Sequence, residues 1–260
     1  MTHRLFALDG QVVLVAGGTG GIGQTLSEAL VEYGAKVAVS GRTQAKADEF
    51  AKRLGHGAVG FVAAADDTAS IRALVEKTAV AFGRVDLVLD CIGGNARHEA
   101  EDFPENDWRR ILDLNLTSAF VLSQAAAKQM MKQPRIAGRP IAGKILHISS
   151  VRSALGIRAG YAAYVTAKGG LNLMVKQLAT EWAEHGILVN AIAPTFIRTE
   201  QVADMLADKA FYDGLVRRIP LGRIGETEDL IGPTLFFLSP ASDFVTGQTL
   251  FIDGGVTACQ

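Results

Sequence analysis

Short runs of apolar, β-branched residues alternate along the chain with longer stretches of helical period. The first run is Gln11 to Ala16. After it, Leu26, Ala29, Leu30 and Tyr33 recur at i, i+3, i+4 and i+7, the spacing of one helix face, and Gly34 follows as a helix stop. Further runs at Lys36 to Ser40, Val59 to Ala63, Val85 to Asp90, Lys144 to Ser149, Ile187 to Ile192 and Thr249 to Asp253 bring the count to about seven strands. Their cores are continuously apolar rather than alternating, which is what strands covered by helices on both faces require. The pattern predicts a doubly wound, mainly parallel α/β sheet with helices on both faces. No linker-like stretch divides it, so a single domain over 1–260 is expected. Pro134 to Gly143, rich in Gly, Pro and Arg, is expected to be a surface excursion. The segment Phe196 to Arg218 carries charge and Met/Leu at loose helical spacing, and is expected to form a lid at the strand ends.

Composition narrows the function. The chain has 260 residues, 48% of them hydrophobic and 20% charged, with a formal net charge of -1 and a pI near 6.5. Acidic and basic residues are interspersed, so neither nucleic acid nor an anionic membrane is an expected partner. A small molecule is. The two cysteines, Cys91 and Cys259, supply no disulfide framework and no zinc-binding spacing, so no metal is expected. Met1 to Asp9 lacks an apolar signal core, and no stretch approaches the roughly 20 apolar residues that span a bilayer. A soluble, cytoplasmic protein is the expectation.

Candidate chemistry begins where the first strand runs into Gly17, Gly18, Thr19, Gly20, Gly21, Ile22 and Gly23. Glycines let a backbone approach a pyrophosphate closely, and the following helix N-terminus supplies free N–H groups and positive dipole potential. The order G-x-x-x-G-x-G departs from G-x-G-x-x-G, and no G-K-[ST] follows for a triphosphate. At the end of the second strand, Ser40, Gly41, Arg42 and Thr43 carry no acid to hold ribose hydroxyls. Arg42 offers a fork suited to a 2′-phosphate, with Thr43 and Ser40 as hydroxyl donors, so NADP is preferred and NAD is the alternative. Asp66, beside Asp67 after the third strand, is suited either to an adenine amino group or to capping the next helix.

Tyr164 and Lys168 lie one helical turn apart on a segment whose buried stripe continues as Leu171, Val175, Leu178 and Trp182. A phenol has an ordinary pKa of about 10, and a nearby ammonium lowers it. The pair is a candidate general acid/base. Together with the glycine turn, the strand ending His147, Ile148, Ser149, Ser150, and the segments Leu114-Asn115-Leu116, Pro220 to Arg223, Glu228 to Leu230 and Ile252 to Gly255, it makes the chain resemble the short-chain dehydrogenase/reductase family along nearly its whole length. The resemblance is to its single-domain members, which include sugar and gluconate dehydrogenases and 3-oxoacyl reductases.

That resemblance implies a Rossmann-like fold and a homo-oligomer, a dimer or tetramer, packed through the long helices between Pro104 and Gln133 and between Tyr161 and His185. It implies that Tyr164 exchanges a proton with the substrate oxygen, that Lys168 depresses the phenol's pKa and holds the nicotinamide ribose, that Ser150 bonds the substrate oxygen, and that Asn115 holds a relay water through its backbone. Gly93, Pro194, Ile197 and Thr199 would complete the cofactor site. Three departures stand out: Asp90-Cys91-Ile92-Gly93 where the family has Asn-Asn-Ala-Gly, Thr195 after Pro194 where it has Gly, and Ala16 in place of a frequent Thr. The loop from Ser150 to Tyr164 is also about one residue longer than the family's usual one, leaving Ser149 and Ser153 as alternative hydroxyls. Arg97, Arg152 and Arg158 on the strand-end loops point to a polar, anionic substrate of sugar or sugar-acid type. Two alternatives are a 3-oxoacyl thioester reductase, which needs an apolar channel under the lid, and a non-catalytic dinucleotide sensor.

Overall fold

The computed structural model describes residues 5–259; the first four residues of the N-terminal segment discussed above lie outside it. Seven strands, β1 (Val12–Ala16), β2 (Lys36–Gly41), β3 (Val59–Val62), β4 (Leu87–Asp90), β5 (Gly143–Ile148), β6 (Ile187–Pro194) and β7 (Thr249–Ile252), form one sheet. The order is β3-β2-β1-β4-β5-β6-β7, and every neighbouring pair is parallel. The main helices are α1 (Gly21–Glu32), α2 (Gln44–Leu54), α3 (Thr68–Phe82), α4 (Glu105–Leu112), α5 (Ser118–Lys132), α6 (Ala162–Trp182), α7 (Ala203–Ala207), α8 (Lys209–Val216) and α9 (Ile231–Leu238).

Alternation along β1 shows how both faces are covered. Leu14 and Ala16 pack with Ile71 and Leu74 of α3, Leu122 and Met130 of α5 and Val175 of α6. Val13 and Val15 pack on the other face with Leu26 and Leu30 of α1, Phe50 of α2 and Phe237 of α9. Each such fully buried aliphatic side chain contributes about 1.5–3 kcal/mol relative to exposure, and a strand flanked twice must be apolar at every position. Strand order reverses between β1 and β4, which places a crevice at their carboxyl ends.

The departures from expectation are local. β4 begins two residues later than its apolar run because the Asp86 carboxylate accepts the Val12 N–H at 3.0 Å, in place of a regular ladder bond. Tyr33 caps α1 and is exposed rather than buried. The connection 134–143 is not a loose excursion. Ile136 and Ile141 pack on Leu188 of β6, and Arg139 binds the Asp243 carboxylate.

Candidate active site

The turn after β1 is built for close approach. Gly17 adopts φ +74, and its N–H donates to the Ser40 hydroxyl at 3.0 Å. A Cβ at Gly23 would lie 2.5 Å from the Gly17 carbonyl oxygen and 2.8 Å from Gly18 Cα, so α1 starts directly against the turn. Gly20 caps α1 without a side-chain acceptor, and no acidic residue occupies the first turn. The first-turn N–H groups are therefore aimed into the adjoining cavity without a side-chain partner, and a pyrophosphate fits there. The residues around this turn divide by position. Gly17, Gly21, Ile22 and Gly23 line the cavity of about 390 Å³, with Gly93, Pro194, Ile197 and Thr199 opposite. Ser40 is buried beneath the turn, so it supports the glycines rather than facing a ligand directly. Thr43 caps α2 through the Lys46 N–H, and Asp67 caps α3 through the Ala69 N–H at 3.0 Å. Asp66 is thus relieved of the capping role. Arg42 is exposed at the end of β2, and Thr19 packs against Gly41 beside it.

On the other wall, Tyr164 and Lys168 project from the first turns of α6. Lys168 Nζ donates to the Ile148 carbonyl at 2.8 Å and sits 5.8 Å from the Tyr164 ring centroid. Burial pushes the Tyr164 phenol above its ordinary value, while the neighbouring Ser150 side chain and the Arg152 charge pull the other way. The Lys168 ammonium is turned to the Ile148 carbonyl, and desolvation dominates at the phenol. Burial pushes Lys168 itself down to about 8, opposed first by the Asp90 carboxylate and then by Cys91.

The three candidate serines separate cleanly. Ser149 donates to Asn172 Oδ1 at 2.6 Å, and Ser153 accepts from Asn172 Nδ2 at 2.7 Å while donating to the Ser150 carbonyl. Of the three, Ser150 alone lines the cavity with Tyr164 without being tied to Asn172, and its side chain lowers the phenol's pKa. Its Oγ also accepts the Arg152 N–H, which starts the short turn Val151–Ser153. Asn115 lies in a π-turn, Asp113–Thr117. Its side-chain amide donates to the Gly94 and Ile111 carbonyls and accepts the Gly94 N–H. Only its backbone is left to act on anything else.

Behind the cavity lies a cluster that sequence reading did not foresee. Asp90 accepts the Ile92 N–H at 3.0 Å and meets His147 Nδ1 at 2.9 Å. His147 Nε2 meets Ser123 Oγ at 3.0 Å. The Ser123 hydroxyl also reaches the Ala119 carbonyl at 2.7 Å. Asp90, His147 and Ser123 are all buried. The Asp90 departure from the family's Asn was the only signal in the sequence.

Of the arginines, Arg152 lines the inner cavity. Arg97 and Arg158 do not; they line an adjoining hollow with Arg218. Tyr161, to which sequence reading gave no place in the site, also lines the inner cavity, as do Phe196 and Val202 of the expected lid. Thr195 lines it too.

This is the geometry of a dinucleotide oxidoreductase. A family model described as Enoyl-(Acyl carrier protein) reductase matches residues 16–257. The chain belongs to the short-chain dehydrogenase/reductase family and is an NAD(P)-dependent oxidoreductase acting on CH–OH groups. Among its relatives, the gluconate 5-dehydrogenase of Gluconobacter oxydans (strain 621H) is 36% identical over 99% of both chains. The 5-keto-D-gluconate 5-reductase of Escherichia coli (strain K12) is 34% identical over 98% of both. A solved gluconate 5-dehydrogenase from Burkholderia cenocepacia J2315, in complex with NADP and tartrate, superposes with a TM-score of 0.92 at 35% identity over the full length of both chains. Among the described residues no helix is long and apolar enough to cross a membrane.

Proposed function

We propose that the protein interconverts a secondary alcohol and a ketone on a sugar acid, with NADP preferred over NAD. The observation that carries this is the grouping of Ser150, Tyr164 and Lys168 opposite an uncapped glycine turn, in one cavity that Arg152 makes cationic. The bound nicotinamide supplies or accepts the hydride. This chain's residues do the rest: Tyr164 Oη holds or delivers the proton at the substrate oxygen, Ser150 Oγ fixes that oxygen, Lys168 keeps a positive charge beneath the pair, and the Asn115 backbone carries the relay water. The G-x-x-x-G-x-G turn and α1 hold the pyrophosphate. Arg42 and Thr43 read the 2′-phosphate, and Asp66 is left to the adenine.

The sugar-acid reading is supported by relatives named for gluconate and 5-ketogluconate and by unpaired arginines on the substrate side. NADP is supported by Arg42 and by neighbours solved with NADP. The segment 196–218 acts as the substrate lid, since Phe196 and Val202 already form cavity wall. Copies associate through α5 and α6, where Phe120 and Leu173 are exposed; light scattering behind a sizing column tests this. Two free thiols suit the reducing cytoplasm.

The test is a panel of sugar acids, sugars, neutral alcohols and a 3-oxoacyl thioester, assayed with NADP and NAD. Sugar acids with NADP are expected to give the highest kcat/KM, and a faster thioester would refute the substrate class. Tyr164→Phe is expected to lose about 10²–10⁴-fold in kcat while still binding NADPH. Equal turnover by that variant would overturn its role, and no turnover by the wild type on any substrate would favour a sensor.

A further inference from the structure

Beyond the inner cavity the substrate side opens into a second hollow of about 800 Å³, and the two share Ile157, Tyr161 and Phe196 in their walls. The glycine turn lines only the inner one, so the outer hollow lies away from the pyrophosphate site. Its floor is apolar: Phe196 and Phe211 meet edge to face at 5.9 Å, with Leu215 of α8 beside them. Its rim carries Arg97, Arg158 and Arg218.

These guanidinium groups are unbalanced. Seven other arginines among the described residues, from Arg53 to Arg223, pair with carboxylates; none of those pairs involves Arg97, Arg152, Arg158 or Arg218. Arg97 is held in place instead, its Nε donating to the Ala159 carbonyl at 3.2 Å and its guanidinium lying 5.1 Å from the Tyr161 ring centroid. Burial depresses the Arg152 guanidinium and the Arg218 charge depresses it further, so the inner cavity and the outer hollow each carry one of two neighbouring like charges. Like charges held together over an aromatic floor favour an anion that bridges them. The inner cavity must take both the nicotinamide end of the cofactor and the reacting carbon, which leaves the remainder of a substrate to extend outward.

We propose that the outer hollow is a subsite for a second anionic group of the substrate, distal to the reacting carbon, held by Arg97, Arg158 and Arg218 with the sugar carbon face on Phe196. The substrate class is then a sugar acid with two anionic groups, the distal one a carboxylate or a phosphate. This rests on the sugar-acid reading above, Arg152 holding the anion nearer the chemistry.

The experiment compares kcat/KM with saturating NADP for gluconate, glucarate and 6-phosphogluconate, on wild type and on Arg158→Ala/Arg218→Ala. The two exposed arginines have no side-chain partners whose loss would disturb the fold, and a melting curve checks this. The wild type is expected to favour glucarate, 6-phosphogluconate or both over gluconate by at least about tenfold, mainly through KM, and the variant to bring that ratio close to one. Preference for glucarate identifies a distal carboxylate, and preference for 6-phosphogluconate a phosphate. A wild-type ratio near one, or a tenfold ratio that survives in the variant, overturns the subsite while leaving the sugar-acid function intact. Turnover of neutral alcohols but of none of the three acids overturns that function and the subsite with it.

Discussion

Asp90→Asn tests how the buried charge behind the cavity acts on the chemistry in front of it. The substitution keeps the shape and removes the charge. The oxygen of the introduced amide still accepts the Ile92 N–H, and its nitrogen donates to His147 Nδ1 once the ring adopts the tautomer that carries its proton on Nε2, facing Ser123. The hydrogen-bond network survives. What Lys168 loses is the carboxylate that most opposes its desolvation. An opposite charge nearby raises an ammonium's pKa by about 1–3 units, so with the wild-type group at about 8 the variant is expected to fall by about one unit or more. The sign follows: Lys168 sheds its proton at lower pH, and the alkaline limb of kcat/KM moves toward acid. For a one-unit shift, the protonated fraction at about pH 8 drops from about a half to about a tenth, roughly a fivefold loss of rate, with almost no loss at about pH 6. The assay is initial-rate NADPH absorbance across pH, with a melting curve as control. A limb that stays in place or moves to higher pH refutes the reasoning. So does an equal loss at both pH values, which marks general damage.

Other outcomes follow from the same geometry. Arg42→Ala should raise KM for NADP by roughly 10- to 100-fold, the worth of one or two hydrogen bonds to a charged group, with KM for NAD little changed; equal effects on both would remove Arg42 from the 2′-phosphate. Gly23→Ala drives a Cβ to 2.5 Å from a backbone oxygen, and fluorescence titration should show NADPH affinity reduced by at least about tenfold; unchanged affinity would mean the turn relaxes freely. Lys144, buried in β5, donates to the Ser239 carbonyl and to Ser242 Oγ at 2.7 Å and pairs with Asp243. Lys144→Met leaves that carbonyl without a donor, about 1–3 kcal/mol, or a fall in Tm of about 2–12 °C at this chain length. A Tm within a degree of wild type would show that the interior repacks around it.

Much of this was legible in the sequence because the sheet is buried on both sides. β1, β4 and β5 could be read as strands from continuous apolar runs, and their ends were misjudged only where a side chain such as Asp86 takes over a ladder bond. The glycine turn, Tyr164 and Lys168 were legible because each is local, set by a few consecutive residues or one helical turn. The link from Asp90 to His147 spans 57 positions and that from His147 to Ser123 spans 24; no local spacing encodes either. The outer hollow was hidden for the same reason, since Arg97, Arg158 and Arg218 come from three separate loops. The desolvation of Tyr164 was not legible either, since spacing reveals a neighbouring ammonium but not burial.

Asn172 gives the site a property that none of its reacting groups has alone. Three serines fall within the five residues 149–153, and a hydroxyl free to rotate beside a phenol is an exit for its proton. By spending one amide on Ser149 and Ser153 together, Asn172 closes two of the three routes. The direction in which a proton can leave the site therefore depends on a residue one turn beyond Lys168 that need never meet the substrate.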